Sequence, residues 1–161
     1  MKKTLSKIFA IAGALILAFG TYLVNTATSE TPNLSINSER SAYQTSARID
    51  EYGSYTSKED VAAYIHMYER LPENFISKTK AHNAGWNPEQ GNLNDVMPGK
   101  SIGGSIFHND DKTLPSKSGR VWHECDVNYH TGFRGSERIV YSNDGLIFYT
   151  PDHYKTFEQL Y

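Results

Sequence analysis

The sequence predicts an α+β fold in which N-terminal helices pack on one face of a C-terminal antiparallel β-sheet. Three observations lead there. A capped stretch with apolar residues at helical spacing stands at the front of the folded region, around Val61 to Tyr68. Beyond Gly91 the pattern changes to short, alternating runs. Two of these runs are separated by Asn143-Asp144-Gly145, a strong hairpin signal. Helices that precede a meander of strands bury their apolar faces on the sheet that the meander forms.

Each element has a local cause. Ser57 can cap a first helix, with Asp60 three residues on. Val61, Tyr64, Ile65 and Tyr68 give it one apolar face, and Leu71-Pro72 ends it. Ser77 caps a second short helix through Ala84, with Gly85 as its stop. Lys78 falls in the first turn of that helix, where an amine opposes the helix dipole. It is either matched by an anionic partner or simply solvated. Ser101 to Phe107 is a strand interrupted by glycines. Arg120 to Asn128 alternates, with Val121, His123, Cys125 and Val127 on one face and Trp122, Glu124, Asp126 and Asn128 on the other. Arg138 to Ser142 and Leu146 to Thr150 are the hairpin strands, and Thr156 to Leu160 is the last strand.

The ends and the composition set the class. Met1 to Ser29 runs from basic (Lys2, Lys3, Lys7) through an apolar stretch to small polar residues, the order of a secretory signal peptide. Its alternative is an uncleaved membrane anchor, because the apolar run is close to the threshold of about 18 residues for a span. In either case the folded part lies outside the cytosol. Residues 30–53 read as a pro-segment or linker with too few apolar side chains to order itself. Residues 54–161 make one small domain. Cys125 is the only cysteine, so no internal disulfide can form, and it reads as a small buried hydrophobe. Loss of Lys2, Lys3 and Lys7 with the signal takes the formal charge from −2 to −5. Any nucleic-acid site is therefore a local basic cleft in an acidic protein, with little long-range steering.

Glu124, Arg134, Arg138 and His153 fall in one run of strands and turns. A carboxylate to take a proton, a histidine to give one and guanidiniums to hold a phosphate can cleave a phosphodiester without a metal. Taken singly, each residue has a plainer reading: Glu124 as a solvated charge, His153 as a surface histidine, Arg134 and Arg138 as partners of Asp126 or Glu137. A metal site from His123, Glu124 and His130 is the other chemical option, but the alternation turns His123 away from Glu124.

The wording around these residues is more specific. Leu71-Pro72-Glu73-Asn74-Phe75-Ile76-Ser77-Lys78, Ala84-Gly85-Trp86, Gly91-Asn92-Leu93 and Pro98-Gly99-Lys100-Ser101-Ile102-Gly103-Gly104 come in this order. Leu114-Pro115, Lys117-Ser118-Gly119-Arg120, Asp126-Val127-Asn128-Tyr129, Gly132-Phe133-Arg134, Arg138-Ile139 and Asp152-His153-Tyr154 follow. From about Ser57 to the C-terminus the chain resembles the bacterial extracellular guanyl-type (barnase-like) ribonucleases. The resemblance implies the microbial ribonuclease fold and a secreted, metal-independent endoribonuclease that needs no cofactor. It implies Glu124 as general base and His153 as general acid, with Lys78, Arg134 and Arg138 around the scissile phosphate. It places Tyr154 in contact with substrate, and makes Arg120 and Asp144 a buried structural ion pair. The partners it implies are RNA and a small acidic intracellular inhibitor of the barstar kind. The mature protein is expected to be a monomer without stable membrane association.

The chain also departs from the family pattern. The base-reading loop is Phe107-His108-Asn109-Asp110-Asp111-Lys112, so Phe107, Asn109 and Asp111 are the candidate base-binding residues. Asp111 stands for a glutamate and Asp110 for a basic residue, which weakens an implied guanine preference. Ser105 replaces an aspartate among the active-site charges, and Gly145 replaces a large aromatic, so packing there should differ. A catalytically inactive RNA- or protein-binding module on the same fold is the alternative function. The Glu124–His153 pair favours the enzyme, since a binder has no need of it.

Overall fold

The structure, a computed structural model, describes residues 49–161; the signal-like segment and the linker up to residue 48 lie outside the described residues. Helix α1 (Lys58–Tyr68) begins at Ser57, whose side chain accepts from the Asp60 N–H and donates to the Asp60 carboxylate. The cap satisfies an N–H that the helix itself leaves without a partner. The helix stops at Glu69, in the left-handed conformation (φ 54°), just before Leu71-Pro72. Strand β1 (Phe75–Ile76) leads into helix α2 (Lys78–Asn83), capped by Ser77, and a short helix α3 (Leu93–Val96). Five strands follow: β2 (Ser101–Phe107), β3 (Trp122–Asp126), β4 (Arg138–Ser142), β5 (Ile147–Thr150) and β6 (Glu158–Gln159).

The six strands form one sheet in chain order. All neighbours from β2 onward are antiparallel, whereas β1 adds a parallel edge, Phe75 against Ser101 and Ile76 against Ile102. The antiparallel sheet expected from the sequence is thus present with one parallel edge added; a two-residue strand and a single helical turn are too short to show a period, so neither β1 nor α3 is legible in the sequence. The last strand is likewise shorter than Thr156 to Leu160.

Helix α1 covers one face of the sheet, with Val61, Ala62 and Ile65 against Cys125, Val127, Ile139 and Ile147. The predicted alternation of β3 is therefore the observed one for its inward face. On the opposite face Trp122, Val140 and Phe148 pack with Leu114 and leave the rest of that face to polar residues. A third cluster joins α2 and α3 to the sheet through Ile76, Ala81, Trp86, Leu93, Ile102 and Tyr129.

Two further expectations change. The packed region reaches back to Ile49, which is buried with Ala63 and Tyr64, while the Tyr64 hydroxyl donates to the Glu51 carbonyl at 2.8 Å. The residues just before Ser54 are thus part of the fold. The Arg120–Asp144 pair is bidentate at 2.8 Å on both arms but not buried: the Asp144 side chain keeps 26% of its exposure and is shared with Lys117. Packing near Gly145 is open. It has φ 95° with nothing within 4 Å of an added Cβ, and it lines a hollow of about 790 Å³ with Ile65, Leu71, Tyr141 and Ile147.

Gly103 fixes how β2 meets β3. A Cβ there would stand 2.8 Å from the side chains of Cys125, Leu71 and Phe75, and the register shifts immediately afterwards, so that Ser105 lies opposite Glu124. Gly103→Ala should cost about 1–3 kcal/mol through overpacking, read as a lowered midpoint of urea unfolding at unchanged slope.

Candidate active site

The polar part of the open sheet face is set by register. Glu124 lies between Ser105 on β2 and Val140 on β4, and Asp126 lies opposite Arg138. Both carboxylates are buried, at 8% and 2% exposure. A buried carboxylate needs charged or hydrogen-bonded partners, and each of these has them.

Glu124 is held on both oxygens. Lys78 Nζ lies 2.9 Å from Oε1, and the Tyr154 hydroxyl donates to Oε2. Lys78 is thus matched by an anion rather than merely solvated, which offsets its position at the positive end of α2. Its side chain remains 44% exposed, so the ammonium also faces solvent.

Asp126 joins the two arginines. Arg134 grips it with two hydrogen bonds, Nε to Oδ2 at 2.5 Å and Nη2 to Oδ1 at 2.7 Å. Arg138 Nε lies 2.9 Å from Oδ1, but its N–H points off that oxygen and has no aligned acceptor, so this is a charge contact rather than a hydrogen bond. Arg138 Nη1 donates to the carbonyls of Gly135 and Glu137. Burial alone would lower the pKa of Arg134, but the Asp126 hydrogen bonds and attraction raise it on balance. Burial lowers that of Arg138, only partly opposed by Asp126. Both groups remain charged at any working pH. Lys78, Arg134 and Arg138 face Glu124 and Asp126, so the cluster carries one excess positive charge, suited to a phosphate.

His153 arrives on an exposed turn after β5. It and Tyr154 both adopt positive φ, 57° and 73°. This is a backbone conformation costing about 1–3 kcal/mol per residue. The turn is held by Asp152, whose carboxylate accepts from Thr150 Oγ1, the Lys155 and Thr156 N–H groups and Thr156 Oγ1. The Tyr154 N–H donates to Thr150 Oγ1, and the His153 N–H to the Ser136 carbonyl. The hydrogen bonds from Thr156, foremost its backbone N–H, pull the Asp152 carboxyl down to about 2.

Two cavities meet at His153. One of about 360 Å³ is lined by Trp86, Phe133, Arg134 and Arg138. The other, of about 600 Å³, is lined by Phe107, His108, Asn109, Asp111 and Tyr154. All five residues expected at the phosphate are thus gathered on one side of the sheet, and Phe107, Asn109, Asp111 and Tyr154 border one cavity. Asn109 spends its amide inside the loop, donating to the Leu114 carbonyl at 2.7 Å and accepting from the Leu114 N–H. His123 stacks on Tyr141, away from Glu124, and no group of three His, Cys, Asp or Glu side chains among the described residues is placed to hold a metal ion.

Sequence reasoning gave no role to Trp86, Phe133 or Asp152. Trp86 faces the Arg134 guanidinium at 5.7 Å, and Phe133 is 69% exposed beside the cationic groove. The spacing of Asp152 ahead of Thr156 is a readable turn-capping signal.

Asp126→Asn should destabilise the protein by about 3–5 kcal/mol, since it strands two guanidiniums in a partly buried site; chemical denaturation checks this. Asp152 has a folded pKa below its unfolded value of about 3.9. Its contribution is fully present above about pH 4 and is lost as pH falls through about 2. Asp144 acts in the same direction, held low by Arg120. Stability should fall between pH 4 and 2 with a shallower slope in Asp152→Asn, and the Thr156 amide should exchange faster over the same range.

A ribonuclease family model matches residues 58–161. The chain is 41% identical to a ribonuclease of Bacillus intermedius over 163 aligned positions, covering 99% of both chains. It is 45% identical to a ribonuclease of Bacillus pumilus over 140 positions, 87% of this chain and 81% of that one. To a ribonuclease of Heyndrickxia coagulans it is 53% identical over 100 positions, 62% of this chain and 92% of the relative. Together with the helices-then-sheet architecture, these likenesses mean that the chain belongs to the barnase-like family of bacterial ribonucleases and is an endoribonuclease.

Proposed function

We propose that the protein cleaves single-stranded RNA by transphosphorylation, with Glu124 as general base and His153 as general acid. The observation that carries this reading is the continuous polar face from Lys78 and Glu124 through Tyr154 to His153, flanked by Arg134 and Arg138. RNA brings its own nucleophile, the 2′-hydroxyl. Glu124 removes the proton of that hydroxyl as its oxygen attacks the adjacent phosphorus. Imidazolium His153 donates to the departing 5′-oxygen. Lys78, Arg134 and Arg138 stabilise the charge that develops on the phosphate oxygens. The product is a 2′,3′-cyclic phosphate. Water then attacks it with the roles of the two residues reversed and leaves a 3′-phosphate. Every step runs on side chains, without a metal.

The cavity beside His153 is the base site in this reading. Phe107 and Tyr154, with ring centroids 5.1 Å apart, offer an aromatic wall, and Asp111 can accept from the N1 and N2 hydrogens of guanine. Asn109 acts by fixing the loop so that its backbone groups face the base. Asp110 places a second negative charge nearby, so guanine preference is weaker than in the barnase-like pattern. The signal-like N-terminus supports secretion, and the exported enzyme then works as a monomer without lasting membrane contact. A cell exporting such an enzyme is served by an acidic inhibitor of the barstar kind docking on Lys78, Arg134 and Arg138.

Digestion of a defined RNA in EDTA should leave cyclic or 3′-phosphate ends, enriched after G. Ends bearing 5′-phosphates would contradict the mechanism. Glu124→Gln should lower kcat by about 10²–10⁴-fold while keeping RNA affinity. Wild-type protein that binds RNA without cutting it would instead identify an inactive binding module.

A further inference from the structure

The contact between Tyr154 and Glu124 gives the tyrosine a role other than touching substrate. Glu124 has two carboxylate oxygens, little exposure, and a donor already on each: Lys78 on Oε1 and the Tyr154 hydroxyl on Oε2. A 2′-hydroxyl has to come within about 2.6–3.2 Å of one of those oxygens to lose its proton. Lys78 need not leave to allow this. An ammonium has three donors, and its half-exposed chain can reach Glu124 and a phosphate together. Tyr154 has one O–H, and while that proton lies on Oε2 the base is capped.

The far side of the same ring lines the base cavity. Tyr154 and Phe107 both border it, and the Tyr154 backbone is pinned by Thr150. A nucleobase that settles against this wall presses on the ring whose hydroxyl end holds Glu124. We propose that Tyr154 is a positioning residue that caps the general base in the free enzyme and releases it when a nucleobase occupies the adjoining cavity. Base recognition and proton abstraction are thereby joined through one side chain. This rests on the assignment of Glu124 as the base.

The charged and titratable groups around Glu124 come from every neighbouring element. Lys78 belongs to α2, Asp126 to β3 and Arg138 to β4; Arg134 is on the loop before β4, and His153 and Tyr154 are on the turn after β5. Ser105 on β2 and Val140 on β4, the two cross-strand neighbours, bring no charge. Tyr154→Phe therefore removes one donor to the carboxylate and leaves all of these charges in place.

The pH profiles separate the outcomes, because kcat/KM reports the free enzyme and kcat the substrate complex. In Tyr154→Phe the acid limb of kcat/KM should move up by about one pH unit, the size expected for losing a hydrogen bond to a charged group. The acid limb of kcat should stay where it is in the wild type. Limbs that move together would mean that the hydroxyl stays on Glu124 throughout. Limbs that stay still while KM rises would mean that Tyr154 only touches substrate. Either result overturns the proposal. Glu124→Gln that keeps its kcat would instead remove the base assignment itself, which distinguishes the two failures.

Discussion

The site depends on one buried carboxylate. Asp126 sits at 2% exposure at the end of β3, with a guanidinium from the following loop and another from β4 against it. Two guanidiniums brought this close repel each other, and a carboxylate this deep is costly without partners. Together the three groups solve each other's problem. The result is a fixed cationic wall, because Asp126 is immobilised by its strand and Arg138 by the backbone carbonyls of Gly135 and Glu137. Arg134 can leave its loop only by giving up two charge-assisted hydrogen bonds.

Local charge then works against the global one. The chain is formally acidic, so its long-range field repels RNA. Screening makes this tolerable. At physiological ionic strength the field of distant carboxylates fades within about 8 Å, whereas Lys78, Arg134 and Arg138 act at contact range. The sheet keeps the cations together on the face that α1 does not cover. Association should then be governed by short-range fit more than by steering, which suits an enzyme with Asp111 on the wall of the cavity beside His153 and Asp110 next to it in the loop.

How much of this the sequence disclosed follows the range of the cause. The caps at Ser57 and Ser77, the alternation of Trp122 to Asp126 and the turn at Asn143-Asp144-Gly145 are settled by neighbours in the chain, and all are legible. The two-residue β1 and the single turn of α3 are too short to carry a period, and they exist because Ile76 and Leu93 fill the space under α2. Ile49 looked like linker because its partners, Ala63 and Tyr64, lie more than a dozen residues away. The partner of Lys78 is another such case: position at the start of a helix left its role open, and Glu124 comes to it from β3, across the whole of β2. The candidate site residues could be named because they lie in ordered family wording. Their connections were not, since the Tyr154 hydroxyl reaches Glu124 only through the folding of the last turn.

The proposed base and the proposed acid are mounted in opposite ways, and the cycle proposed for them gives a reason. Glu124 lies on a middle strand, nearly out of water, gripped from two sides; in the proposed cycle it takes its proton from the 2′-hydroxyl and returns it to the 2′-oxygen when the cyclic phosphate opens. His153 stands exposed on a turn. As the proposed acid it has to give a proton in each cycle, and any imidazole that has lost one to a product which departs before the second step recovers it from solvent. A buried histidine would exchange slowly and would resist charging. Exposure alone would leave the imidazole adrift, so its freedom is limited through the backbone instead of the ring. Two consecutive left-handed residues, the four hydrogen bonds to Asp152 and the link to Ser136 fix where the side chain starts and leave its tip in water. The strain of that turn thus reconciles two demands that the proposed role makes and a regular strand cannot meet together: a fixed position beside Arg134 and Arg138 and open access to protons.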